Sequence, residues 1–174
     1  MRDFYTPPTL QARNALSKKE DNPLTDMEEP VCAPGRRLLA LDLGRKRVGV
    51  AVSDEHWVTV RPLKALSRRS WKKLLHEVSE IVRSFDAQSL VVGLPLRLAG
   101  TEGEEAREAR RLARNFQLSL GISVFLQDER LTSFEAENRL RDEGLSHESL
   151  NERVDSHAAA IILEDFIASR SDRS

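Results

Sequence analysis

The sequence predicts an α/β domain built as a five-stranded mixed sheet with helices on both faces. Three observations carry that expectation. Residues 38–54, LLALDLGRKRVGVAVSD, read as a hairpin in which two apolar runs are joined through Gly44, Arg45, Lys46 and Arg47. Two further short apolar runs, 89–93 and 122–127, alternate with long helical patterns, as parallel crossovers do. The resulting order, β-β-β-α-β-α-β-α-α, sets a three-strand antiparallel meander beside two parallel strands.

The elements follow in chain order. Residues 1–36 hold five of the seven prolines, two opposed charge clusters and no sustained periodicity, and are expected to form a tail that does not order itself. The domain is expected to span 37–169, with 170–174 as a short second tail. After the hairpin, 57–66 (WVTVRPLKAL) reads as a third strand, and Pro62 marks it as an edge or a bulge. Ser70 is the expected N-cap of a long helix whose apolar residues, Trp71, Leu74, Val78, Ile81 and Phe85 among them, recur at offsets of three and four. That spacing makes its aromatics core rather than a base-stacking platform. The helix expected over 102–120 opens on glutamates and continues in arginines, a gradient that complements the helix dipole and needs no ligand to explain it. Thr132 and Glu135 form a capping box for a helix ending near Gly144. The last helix, apolar on several sides, is expected to open at Asp155.

Composition narrows the class of protein. With 174 residues, 40% of them hydrophobic and 32% charged, the chain can bury the core of one domain. No apolar run approaches the roughly 18 residues that suggest a membrane span. The N-terminus shows no secretory pattern, so a cytoplasmic protein without a membrane partner is expected. The single cysteine, Cys32, makes neither an internal disulfide nor a zinc cluster. A net charge of −1 hides an asymmetry: residues 36–83 carry twelve Lys/Arg against five Asp/Glu, and residues 128–165 carry four against eleven. A polyanion can dock on the first half while the second half completes an acidic, cation-binding site.

Three acids interrupt apolar or strand-end settings: Asp42 in the first strand, Glu129 at the end of the fifth, and Asp155 at the last helix. Ligands of α/β sheets collect beyond the carboxyl ends of the parallel strands, where Asp42 and Glu129 can meet. Carboxylates brought together repel one another unless a cation joins them, and oxygen ligands of this kind suit Mg²⁺ or Mn²⁺. Gly44, two residues after Asp42, leaves room for what that acid holds. Asp128 should point away from Glu129 by strand alternation. Ordinary roles stay open for each acid taken singly: a hydrogen-bonded Asp42, a Glu129 paired with Arg130 or Arg47, and an Asp155 that favours a helix start.

The blocks LALDLGRKRVGVAVSD, VVGLPLRLAGTEG, QDERLTSFEAE and VDSHAAAIIL, in this order and spacing, resemble the signature blocks of the YqgF family over about 37–167. The resemblance implies an RNase H-like, Holliday-junction-resolvase-like fold. It also implies a metal-dependent nuclease that matures the 5′ end of the small-subunit (pre-16S) ribosomal RNA precursor during ribosome biogenesis. Its catalytic, metal-binding acids match Asp42 in DxG, Glu129 in DER and Asp155 in VDxxAA, with Mg²⁺ or Mn²⁺ as the implied cofactor. Arg47 matches the family's basic turn residue, and Gly93 to Pro95 match its GLP loop. Arg45, Lys46, Arg47, Arg97 and Arg130 are the candidate phosphate contacts. Three positions depart from the pattern. Arg97 and Ala99 stand where the family's loop carries Asn and Asp, and Ala158 stands where RNase H-like nucleases often place a fourth acid.

The expected partner is structured RNA, with branched DNA as the alternative, and the expected state is a monomer or a homodimer. A DNA junction resolvase shares the leading chemistry and works as a symmetric dimer. A non-catalytic rRNA-binding assembly factor with a vestigial acidic site would bind RNA equally well in EDTA. The actin and sugar-kinase ATPases begin with a similar hairpin, but they need two copies of the fold around a nucleotide cleft, and this chain has one.

Overall fold

Strand β1 (Arg37–Asp42) is the middle strand of the sheet, and the rest of the molecule is hung on it. The computed structural model describes residues 34–97, 100–129 and 147–171, giving only the backbone for 147–155 and 171. All of these fall in the compact unit Cys32–Ser174. Strand β2 (Arg47–Ser53) returns antiparallel to β1, with Leu39 opposite Val52 and Leu41 opposite Val50. On the other side of β1 lies β5 (Ala87–Leu94), parallel, with Leu41 opposite Val92; next comes β6 (Ser123–Asp128), also parallel, with Gly93 opposite Gln127.

Side-chain alternation along these strands divides the core into two layers. Leu39, Leu41, Val50, Val52 and Val92 pack under α1 (Trp71–Phe85) and α2 (Glu104–Leu120). Leu38, Ala40, Ala51, Val91 and Phe125 pack under α3 (His147–Ser171), against Ala159, Ile162, Leu163 and Phe166. Helices therefore cover both faces, as the sequence predicts. Ser70 caps α1, accepting from the Lys73 amide at 3.3 Å, and Trp71 is spent on the core, its ring 4.8 Å from that of Phe116. Asp54 closes the loop after β2 by accepting from the amides of His56, Val58 and Thr59, so it is structural.

Four expectations are corrected. The sheet has six strands, not five, because the predicted strand 57–66 is two short ones, β3 (Val60–Pro62) and β4 (Leu66–Ser67). Pro62 offers no amide to the ladder, so the chain leaves β2 after pairing at Ala51 and rejoins it at Arg47 and Val48. The helix predicted over 102–120 starts at Glu104, Gly103 being its N-cap, while Glu102 bridges back to Leu96. The last helix begins at His147, so Asp155 sits inside it rather than at its opening, and it runs on to Ser171, past the expected boundary at 169. Residues 1–33, Arg130 and the helix expected over 132–144 lie outside the described residues. No helix among the described residues is long and apolar enough to cross a membrane.

Candidate active site

Asp42 is the last residue of β1. Leu38 and Ala40 face α3, so alternation puts Asp42 on that face too. Glu129 is the first residue past β6, its amide donating to the Leu94 carbonyl at 3.2 Å. Between the two strands runs β5, and there Gly93 decides the geometry. A methyl group on Gly93 would overlap the Glu129 carboxyl outright, lying 2.6 Å from its Cδ, and would come within 2.8 Å of Ile162 Cδ1. The Glu129 carboxyl thus occupies the space of the missing side chain, under α3 and toward Asp42.

Asp42, Gly93 and Glu129 line a cavity of about 420 Å³ whose wall includes Glu104, Glu105 and Glu108 of α2. Burial, and then the charges of Asp42, Asp128 and Glu105, push the Glu129 carboxyl up to about 8 from an ordinary 4.5. Asp128 therefore acts on Glu129 through space. Between pH about 5 and about 8 the folded chain keeps a proton that the unfolded chain has released, so metal-free stability falls as pH rises through that window. Thermal melts in EDTA should show a loss on the order of 2 kcal/mol across it, after discounting for partial exposure. Glu129→Gln should flatten the profile.

Two arginines border the cavity. Arg45 pairs with Glu105 at 2.9 Å in full solvent, a weak contact. Arg68 is more firmly held, with a side chain only 17% exposed: it pairs with Glu108 at 2.8 Å and donates to the Gly44 carbonyl at 2.9 Å. It thereby ties the β1–β2 turn to α2. The sequence reading missed Arg68, and its only signal was the basic composition of 64–69. Gly44 lines the cavity together with Asp42, and a methyl there would also meet the Arg47 carbonyl at 2.9 Å, so the glycine serves the turn as well.

The remaining candidates are placed as follows. Lys46 and Arg47 line a separate groove beside the cavity, together with Arg45 and Arg68. The acids that act on Glu129 are accompanied by no Arg47 contact, and the expected pairing of those two residues is not formed. Arg97 lies in the loop after β5, its amide donating to Thr101 and its Nε 3.5 Å from the space beside Gly103; it does not line the acid cavity. Arg130 and the side chain of Asp155 lie outside the described residues. Among the described residues no three His, Cys, Asp or Glu side chains converge on a single ion position.

A mixed sheet in this order with helices on both faces is an RNase H-like fold, and acids at the carboxyl edge of β1 and β6 suit a hydrolase of phosphodiester bonds. The fold is shared with T. thermophilus RuvC, solved in complex with a Holliday junction substrate, at a TM-score of 0.51 and 14% identity, over 78% of this chain and 96% of that one. Residues 36–169 match the RuvX family, described as Holliday junction resolvase, and the chain belongs to that family. Its relatives include a protein of Anaeromyxobacter sp. (strain K), 45% identical over 78% of this chain and 98% of its own length. Another, from Syntrophus aciditrophicus (strain SB), is 40% identical over 75% of this chain and 87% of its own. Both are provisionally named pre-16S rRNA nuclease.

Proposed function

We propose that this protein is a metal-dependent nuclease of structured RNA that trims the 5′ end of the small-subunit rRNA precursor in the cytoplasm, with 37–171 as its catalytic domain. The observation that carries the reading is the seating of Glu129 over Gly93, where its carboxyl is held beside Asp42 against repulsion. Two hard oxygen donors kept together in this way fit Mg²⁺ or Mn²⁺. When bound, the metal would polarise the scissile phosphate and ease deprotonation of the attacking water.

Asp42 and Glu129 would hold it, and Asp155 is assigned as the third ligand. The course of α3 supports that assignment. Ile162 reaches Gly93 near the carboxyl end of β5, whereas Phe166 stacks on Phe125 further back in β6, the rings 5.2 Å apart. The helix therefore runs opposite to these strands, and Asp155, at offsets four and seven before the buried Ala159 and Ile162, leads toward the acidic edge. Arg45, Lys46, Arg47, Arg97 and Arg130 are assigned as the phosphate contacts.

The family's description favours one second reading, cleavage of branched DNA. Purified protein should shorten a small-subunit rRNA precursor with Mn²⁺ or Mg²⁺ and leave it intact in EDTA. Cleavage of a four-way DNA junction but not of the RNA would select the second reading. RNA binding without cleavage in either metal would leave only an assembly factor.

A further inference from the structure

Beside the acid cavity, on the side of the β1–β2 turn, lies a second groove of about 500 Å³. Its charged wall is cationic throughout: Arg45, Lys46 and Arg47 come from the turn, and Lys64, Arg68 and Arg69 from the segment around β4. The neutral remainder is Ala65, Leu66 and Ser67, so it holds no carboxylate and no aromatic ring. Arg45 and Arg68 are shared with the acid cavity, so the two spaces are adjacent. Those two arginines are already paired with Glu105 and Glu108. Among the described residues Lys46, Arg47, Lys64 and Arg69 have no carboxylate partner. In addition, Arg47 Nη1 is buried without a hydrogen-bond partner, a costly arrangement.

We infer that this groove holds the nucleic-acid strand flanking the scissile phosphate, and holds it by its backbone. The inference rests on the nuclease reading for the identity of the strand as substrate. β4 enters the sheet only by its pairing with the start of β2, and that pairing is what brings Lys64 and Arg69 opposite the turn. Cations without an aromatic platform act chiefly on phosphates, so the grip should be independent of sequence. The acid cavity would repel the same strand along its α2 wall, where Glu104 stands. The substrate therefore leaves the site over β4 rather than along α2.

The test compares two double variants of equal charge change, Lys64→Gln/Arg69→Gln in the groove and Arg107→Gln/Arg114→Gln on the exposed face of α2. Binding of labelled RNA hairpins with single-stranded extensions, in two unrelated sequences, is measured in EDTA across a salt series. All four replaced residues are exposed or half-buried at the surface, and thermal melts confirm folding. The groove pair should flatten the slope of log affinity against log salt by roughly 1.5, about 0.7–0.9 for each phosphate no longer neutralised. It should do so equally for both sequences, while the α2 pair leaves the slope alone. An unchanged slope, equal flattening by the α2 pair, a weakening confined to one sequence, or no binding by the parent would each overturn the inference. A parent that cleaves RNA while its slope ignores the groove pair keeps the nuclease reading and overturns the groove. A groove effect in a protein that never cleaves does the reverse.

Discussion

Asp42→Asn should leave a folded protein whose cleavage has fallen by about a thousandfold or more, roughly 4 kcal/mol of barrier. The amide keeps the shape of the carboxylate at the end of β1 and removes its charge. The proposed metal site then lacks one of its anchors, and the deficit should not be recovered by raising substrate. Stability should move the other way. After burial, the Asp42 charge is the strongest influence holding the Glu129 carboxyl up. Removing it lets Glu129 ionise closer to its ordinary range, so the metal-free variant should melt at the same temperature or slightly higher at pH 8. Activity near that of the parent, measured at saturating Mn²⁺, would dismiss the acidic edge as the seat of catalysis. A collapse of the melting transition would instead assign Asp42 to the fold.

Gly93→Ala should be nearly as damaging to cleavage, although alanine carries no chemistry. The added methyl needs the volume now filled by the Glu129 carboxyl and crowds Ile162 Cδ1. Backbone at the centre of a sheet cannot yield, so the carboxyl must leave its seat. Overpacking at a buried site also costs about 1–3 kcal/mol of stability. A second change separates the two effects. Ile162→Val removes the Cδ1 atom and should return part of the missing stability to the Gly93→Ala protein. It should not return activity, because the overlap with Glu129 remains. Activity restored together with stability would mean that the glycine matters only for packing.

Much of this arrangement is legible in the sequence because the acids break apolar patterns. Asp42 stands out in a leucine and alanine run, and Glu129 ends one. Ser70 announces its helix, and the helical stripe through Leu74 and Val78 is buried as its spacing requires. What periodicity cannot carry is contact between distant segments. Gly93 looks like any glycine before a proline loop until Glu129 is placed against it from the neighbouring strand. Glu105 and Glu108 read as dipole complements, which they are, yet the crossover also turns them into the wall of the cavity. The split of 57–66 into β3 and β4 follows from Pro62, but its functional result, bringing Arg68 to the turn, depends on where the chain rejoins β2. Asp155 is legible as an acid ahead of an apolar helix. Its place within α3 is not, since 147–154 are too polar to advertise helix by an apolar stripe.

Half the length of the chain separates Asp42 from Glu129, and the two meet only across β5. A pairing so remote in sequence is slow to form and cannot be anticipated by local structure. During translation the hairpin bearing Asp42 emerges early, yet the emerging polypeptide is unarmed until β6 has docked on β5. A nuclease is thereby kept inert until its whole domain has been made.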